Sequence, residues 1–455
     1  MVTRLPLEED ILAGLRPTEE ERKHIRGIEE RLLAAIQESG KAEGMVVGSI
    51  ARQTWLRGDH DLDVFMLFDP SLSREELENE GLGLARSIAA MFTERYHEKY
   101  AEHPYINAFI DGIDVDLVPC YKVGSAEKIQ SAVDRTPFHT RYINRKIDGL
   151  VDDVLLLKRF AKSGGIYGSD QMTEGFSGYL CELLVLQFGG FTPLLQAAQG
   201  WRPHQIIDPE KHAAKKFDEP LIVIDPVDPR RNVAASVSLD RMAGFVELAR
   251  SYLASPSEIF FRLQEQQPIT KEKLEKLLAG RGTSLYAVTF PTPPHIEEIV
   301  VPQLKRSVAA IREHLGRNGF VVHHAHYTML PDRCMFLFEF LVADLPGIRV
   351  HPGPPIWNRE NAGKFREKHA ASTLQGPYIS DGRYEVEVPR EFTRAKDILS
   401  SQELLNTSLG KHVRQSLEKE WHVDEGAACW SPEFAAFIGG FFSRCSPVMR
   451  IERKK

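Results

Sequence analysis

The apolar positions divide the chain into stretches of different rhythm. From Pro17 to Ser39, Ile25, Ile28, Leu32, Leu33 and Ile36 recur at helical spacing, Thr18 and Glu21 form a capping box, and Gly40 follows, which predicts a helix. The run Met45 to Val47 meets Gly48 and Ser49 and leads into ARQTW, the pattern of a strand, a tight turn and a helix start. Residues 61–68 are rich in β-formers, 73–98 read as a second amphipathic helix, and 105–121 read as two strands joined at Asp111-Gly112. Together these predict an α/β unit ending near residue 144.

From Val151 to about Gln266 the pattern is mostly helical, in VLLLKRFAK, GYLCELLVLQF and LDRMAGFVELARSYL. PTPPH at 291–295 marks a linker or strand entry; beyond it VPQLKRSVAAIREHL is helical, while VVHHAHYTML and RCMFLFEFLVA are strand-like. The expected fold class is therefore α+β and multidomain: an α/β domain over 1–144, a helical domain over 145–280 and an α+β tail over 281–455. No repeat or low-complexity tract interrupts them.

Composition changes this picture little. With 455 residues there is ample core for several domains, and 42% apolar and 27% charged residues are ordinary for a globular protein. The longest apolar runs, such as Val64 to Phe68, are far short of the roughly 20 residues a bilayer span needs. The first residues have no cationic head before an apolar segment. Five cysteines without CxxC spacing argue against a disulfide framework, so a reduced, cytoplasmic protein without a membrane partner is expected. The net charge of −7 argues against nucleic acid until it is divided. Residues 1–300 carry 35 Lys and Arg against 46 Asp and Glu, whereas residues 301–455 carry 22 against 18. The carboxy-terminal part has the charge for RNA contact through local patches, and equally for a surface asymmetry without function.

The candidate chemistry lies in the first unit. Gly48-Ser49 is followed by Asp61-Leu62-Asp63 and much later by Ile113-Asp114-Val115-Asp116-Leu117. A strand projects side chains alternately, so Asp61 and Asp63 emerge on one face, and Asp114 and Asp116 on one face of theirs. Acids inside apolar runs such as VFMLF and LVPCY need a reason to be there. Clustered carboxylates are hard oxygen ligands that suit Mg²⁺, and two such ions about 4 Å apart support in-line displacement at a phosphate. Gly48 permits the tight turn; Ser49 and Arg52, at a helix start, suit an anion.

Glycine-serine, an acid pair in one strand and a third acid in a later strand resemble the nucleotidyltransferase superfamily that includes DNA polymerase β. GSIARQTWLRGDHDLDVFMLF, EHPYINAFIDGIDVDLVPCY, SAVDRTPFH, LLKRFAKSGGIYG, GFSGYLCELL and DPVDPRRNVA are similar, in order, to blocks of the archaeal class I CCA-adding tRNA nucleotidyltransferases. HPGPPIWNRENAGKF and GPYISDGRY extend the likeness to about residue 385. The resemblance implies a polymerase-β-like palm, a helical domain closing the nucleotide pocket, and a tail that grips tRNA. The implied activity is addition of C, C and A to tRNA from CTP and ATP with two Mg²⁺ ions, releasing pyrophosphate. It carries the metal-ligand role to Asp61, Asp63 and Asp116, the first of which is commonly Glu in the family. It carries nucleotide contact to Ser49, Arg52, His139, Lys158 and Tyr167, and base reading to Arg231.

Read without the resemblance, several of these residues keep other uses. Arg52 suits an ion pair, Lys158 a snorkelling helix surface, Tyr167 a cover over core, and His139 a helix start. Arg230 stands beside Arg231, and the sequence does not say which enters a cleft. His103 reads as structural or as a neighbour of the primer end. The trio His323, His324 and His326 lies in a strand pattern with no cysteine or acid nearby, a poor zinc signature. A poly(A) or oligoadenylate polymerase, or a catalytically silent RNA-binding relative, remains as an alternative, and a homodimer is one assembly left open.

Overall fold

The structure, a computed structural model, describes residues 4–100, 104–263, 267–371 and 374–452; His103 lies outside them. The chain forms two compact units, Met1–Glu265 with Cys445–Lys455, and Gln266–Arg444.

The first unit opens with helix α1 (Pro6–Leu15), which the sequence pattern did not assign. Proline at its start and the Glu8 carboxylate accepting from the Leu5 N–H stabilise the first turn, and Tyr252 Oη donates to the otherwise buried Glu8 at 2.9 Å. Helix α2 (Glu19–Ser39) has the expected Thr18–Glu21 box and ends at Gly40 with φ +65°. Next come β1 (Glu43–Val47), a single helical turn α3 (Gly48–Ala51), β2 (Asp61–Phe68), α4 (Arg74–Phe92), β3 (Tyr96–Tyr100), β4 (Pro104–Ile110) and β5 (Ile113–Tyr121). The second amphipathic helix is thus shorter than 73–98. Its apolar rhythm stops at Phe92, and the polar residues 96–100 pair with β4 as an edge strand. The Asp111-Gly112 turn takes positive φ at both residues, +49° and +88°, the form that matches the strands' twist.

The sheet order is β1-β2-β5-β4-β3, with β2 and β5 parallel and the other pairs antiparallel. Leu62, Val64, Met66 and Phe68 face α2 and α4, burying one side of the sheet. The alternate positions Asp61, Asp63, Phe65 and Leu67 point to the other face, where only a small cluster, including Val118 and Cys120, is apolar.

Helices α5 (Thr136–Asn144), α6 (Val151–Ser163), α7 (Gly178–Phe188) and α8 (Phe191–Ala198) follow. The region expected to be mostly helical also contains a small sheet, β6 (Gln205–Ile207), β7 (Leu221–Asp225) and β8 (Asp228–Asn232), before α9 (Leu239–Ala254). The five β7 residues LIVID are all buried, and Pro226 and Pro229 confine the turn to β8. Phe160, Phe191, Tyr252, Phe260 and Phe261 pack together in the core. The short helix Pro447–Glu452 adds Val448 and Ile451 to it, so residues 445–452, counted with the tail in the sequence, join this unit. No single helix among the described residues is long and apolar enough to cross a membrane.

The second unit contains α10 (Lys271–Arg281), β9 (Ser284–Pro291), α11 (Glu297–Arg317), β10 (Val321–Met329), β11 (Arg333–Val342), β12 (Ile348–Pro355), α12 (Arg359–His369), β13 (Tyr378–Ser380) and β14 (Arg383–Pro389). Strands β10-β11-β9, with His422–Glu425 at the far edge, form an antiparallel sheet whose two faces are covered by α11 and by the helix Ala435–Phe442. A second antiparallel sheet, β12-β14-β13, packs against α12. His324 lies beside Arg444 and Phe441, and His326 against Phe437, so the histidine trio is built into this packing.

Candidate active site

Parallel pairing of β2 with β5 sets Asp61 opposite Asp114 and Asp63 opposite Asp116. Burial, and then the Asp116 charge, push the Asp63 carboxyl up to about 6. Burial also raises Asp116, although Asn107 Nδ2 donates to its Oδ1 at 2.7 Å. Asp61, at the strand's start, is raised by partial desolvation of its carboxyl and by the charges of Asp59 and Asp114. Gly48, at φ +71°, lies against this array: a Cβ there would stand 2.1 Å from Asp63 Oδ2. The glycine therefore answers two demands at once, a left-handed turn and close approach to a carboxylate.

Asp63 and Gly48 line a cleft of about 1310 Å³ whose other walls include Arg52, His139, Tyr179 and Arg231. Among the described residues, no three Asp, Glu, His or Cys side chains close a metal site on their own. Ser49 is half-buried in the turn of α3, where its carbonyl accepts from Thr54 N at 2.9 Å; it does not line the cleft. Arg52 caps the end of α3 instead of beginning a helix, because the turn stops at Ala51 and Gln53 adopts φ +57°.

Behind the wall lies a second constellation that the sequence reading missed. Glu182, inside the apolar helix GYLCELLVLQF, has no solvent exposure. Arg52 Nε forms an ion pair with its Oε2 at 2.8 Å without hydrogen-bond geometry, and Arg52 Nη1 donates to Thr140 Oγ1 at 3.2 Å. The Thr54 hydroxyl donates to Glu182 Oε1; Lys158 Nζ lies 3.7 Å from that oxygen and donates to the Thr54 carbonyl at 2.7 Å. Lys158 is thus buried instead of snorkelling, and burial lowers its pKa against the pull of Glu182. The Tyr167 hydroxyl and Lys158 Nζ both flank Gly178, where a Cβ would meet them at 3.1 and 3.5 Å. Neither Lys158 nor Tyr167 lines the cleft with His139 and Arg231.

Another buried acid, Asp225 at the end of β7, gathers His139, Arg231 and Tyr179. His139 Nε2 lies 2.8 Å from Asp225 Oδ2, and its ring stacks on Tyr179 at 4.1 Å between centroids. Of the two neighbouring arginines, Arg231 is tied to Asp225, while Arg230 keeps an exposed side chain. The signal for Glu182 and Asp225 was present in the sequence: each is an acid inside or closing an apolar run, the same feature that singled out Asp63.

Family comparisons cover most of the chain. Residues 25–139 match a nucleotidyltransferase domain, 152–262 a tRNA nucleotidyltransferase second domain, and 281–426 a CCA-adding enzyme C-terminal domain. The CCA-adding enzyme of Methanoregula boonei is 69% identical over 456 residues, covering 100% of this chain and 99% of that one. The chain belongs to the CCA-adding enzymes. Relatives of that name from Methanosarcina mazei and Archaeoglobus fulgidus are 42% and 37% identical, over 92% and 90% of this chain and 93% and 92% of theirs. A solved cytoplasmic RNA terminal U-transferase aligns at TM-score 0.44 and 16% identity, over 56% of this chain and 97% of that one. The enzyme adds C, C and A to tRNA without a nucleic-acid template, and nothing favours a poly(A) or oligoadenylate polymerase or a silent relative.

Glu182 is the only carboxylate that contacts both Arg52 and Lys158 among the described ion pairs. Glu182→Gln keeps the shape but leaves Arg52 buried without its counter-charge, which should lower stability in urea denaturation by about 3–5 kcal/mol. A loss below about 1 kcal/mol would mean that the cluster carries less charge than its geometry suggests.

Proposed function

We propose that the tRNA 3′-hydroxyl attacks the α-phosphate of CTP or ATP with pyrophosphate leaving, and that Asp63 and Asp116, with Asp61 at the rim, would hold two Mg²⁺ ions that serve this reaction. The observation that carries this reading is the β2–β5 register, which sets Asp63 opposite Asp116 beside a cleft wide enough for a nucleotide. The carboxylates fit the ions: burial raises both acids, and neighbouring aspartates add to it, Asp116 and Asp61 for Asp63 and Asp61 and Asp114 for Asp116, which is the situation a cation relieves. Magnesium sites commonly use only one or two carboxylates and take their remaining ligands from water and substrate phosphates, so an incomplete protein cage suits the role. When bound, the ions would activate the hydroxyl and neutralise charge developing at the phosphate.

The chain's own groups prepare that chemistry. Asn107 occupies Asp116 Oδ1 and so fixes the plane in which Oδ2 is presented. Gly48 brings backbone against Asp63 and holds it from the side of β1. Arg52, whose orientation is set by Glu182 and Thr140, supplies positive charge to the cleft wall, while His139 and Arg231 stand on the side of β7 and β8. Ser49, Lys158 and Tyr167 take part by shaping α3 and the wall behind Arg52. Arg231 offers donors to acceptors on cytosine and adenine, whereas uracil presents an N3–H donor where cytosine has an acceptor. The tail, expected over 281–455, grips the tRNA body, with α12 supplying exposed Lys364, Arg366 and Lys368. The cytoplasm is the compartment we infer for this activity.

Asp116→Asn should reduce nucleotide incorporation by a factor on the order of 10³ while tRNA binding changes little; activity within tenfold of the parent sinks the metal assignment. Asp63 adds a readout that does not depend on turnover. Because its carboxyl is raised to about 6, ionising it costs folding energy as pH climbs from about 4 through 6. At pH 7 Asp63→Asn should therefore stabilise the metal-free protein by on the order of 1–2 kcal/mol. Added Mg²⁺ should raise the melting temperature of the parent and much less that of the variant; equal shifts would place the ions elsewhere. For the tail, replacing Lys364, Arg366 and Lys368 by Ala should weaken tRNA binding and flatten its salt dependence with CTP binding unchanged. An unaltered tRNA salt slope would remove α12 from the interface.

A further inference from the structure

We propose that Asp225 is a positioning residue that sets base choice by fixing which N–H groups Arg231 presents to the incoming nucleotide. The inference rests on Arg231 being the base reader and adds the group that orients it. Asp225 has no solvent exposure and closes β7 where the register with β8 breaks. Its Oδ2 accepts from Arg231 Nη1 at 2.7 Å and from His139 Nε2 at 2.8 Å; its Oδ1 accepts from Val227 N at 3.0 Å and from Tyr179 Oη at 3.3 Å. Four donors from four directions leave the carboxylate no freedom to rotate.

That rigidity passes to the arginine. With Nη1 held by Asp225, one end of the guanidinium is anchored, and the side chain remains 37% exposed, so its uncommitted donors are open to the cleft. His139 is held in the same grip, which commits Nε2–H to Asp225 and leaves Nδ1 as an acceptor. The charge state agrees with the geometry. Burial pushes the Asp225 carboxyl up, but the His139 hydrogen bond, the Arg231 charge and the Val227 N–H outweigh it and hold the acid below its ordinary range. An ionised acceptor is what two close cationic or N–H donors on a single oxygen require.

Asp225→Asn keeps the volume but turns one oxygen into an NH₂ donor. Either Arg231 and His139 both face a donor, or Tyr179 and Val227 do, and in both cases the charge that anchors the arginine is gone. The test uses full-length enzyme, a tRNA transcript lacking CCA, and kcat/KM for CTP and UTP. Arg231→Ala should narrow the CTP over UTP preference by about ten- to hundredfold. Asp225→Asn should narrow it by about tenfold, Arg230→Ala should leave it intact, and Asp225→Asn added to Arg231→Ala should narrow it no further. A purely structural role would lower rates for both nucleotides and spare their ratio. If Arg231→Ala keeps full discrimination, the base-reading role of Arg231 fails. If Arg231→Ala loses it while a folded Asp225→Asn enzyme keeps it, the positioning role of Asp225 fails. Should the Asn variant not fold, Tyr179→Phe, which removes one donor and retains the ring, decides: a two- to threefold narrowing supports the role, and an unchanged ratio overturns it.

Discussion

Eight consecutive rungs of parallel pairing, from Asp61–Asp114 to Phe68–Tyr121, force carboxylates together that would otherwise separate. The rungs cannot slip. Moving β2 by one residue would turn Leu62, Val64, Met66 and Phe68 away from α2 and α4 and expose the apolar face that holds the domain together. The hydrophobic side of the sheet thus enforces the electrostatic strain of the other side. Like charges half-buried beside each other are a poor way to stabilise a fold and a good way to bind a cation. The destabilisation is confined to one end of two strands, where the cleft opens.

Two further buried acids work in the opposite sense. Asp63 and Asp116 repel one another and await positive charge, whereas Glu182 and Asp225 already have theirs. Glu182 sits between Arg52 and Lys158, and Asp225 between Arg231 and His139. Each therefore turns a mobile arginine into a fixed one, at a desolvation cost that a well-packed apolar residue would not incur. The enzyme's cleft combines one unsatisfied anionic site with two walls that each carry an oriented arginine, Arg52 and Arg231. A nucleotide triphosphate, with a metal-seeking phosphate tail and a base rich in acceptors, matches that division.

Much of this could be read from the sequence because strand alternation exposes acids in apolar runs. The Asp61, Asp63 and Asp116 pattern, the Asp111-Gly112 hairpin and the Thr18 capping box all follow from rules that act over a few residues. What stayed hidden depends on distant partners. Helix α1 is short and its buried Glu8 looks like a surface residue until Tyr252, 244 positions later, donates to it. The edge strand β3 has no apolar rhythm of its own and exists because β4 offers it hydrogen bonds. Lys158 reads as a surface lysine because Glu182, which draws it inward, is on another helix. The β6-β7-β8 sheet hides among helices because its strands are short, although LIVID between prolines was a legible strand.

The same contrast bears on how one cleft can accept both C and A. A flexible reader would adapt to any base with an acceptor and would gain little by rejecting uracil, since a mobile arginine can swing its donors away from a facing N–H. A fixed reader cannot escape, so a donor opposite a donor stays unmet and the wrong base is penalised. With Arg231 as the proposed base reader, its rigidity would be the source of selectivity, and Asp225, held by Tyr179 and the Val227 N–H and bonded to His139, would supply that rigidity. Cytosine and adenine differ in size, so a pocket shaped tightly around either would exclude the other. A roomy cleft with a few immobile donors avoids that conflict: it tolerates both outlines and tests only the pattern of acceptors along one edge. Without a nucleic-acid template, fixed protein donors are the part of such a site that can say no.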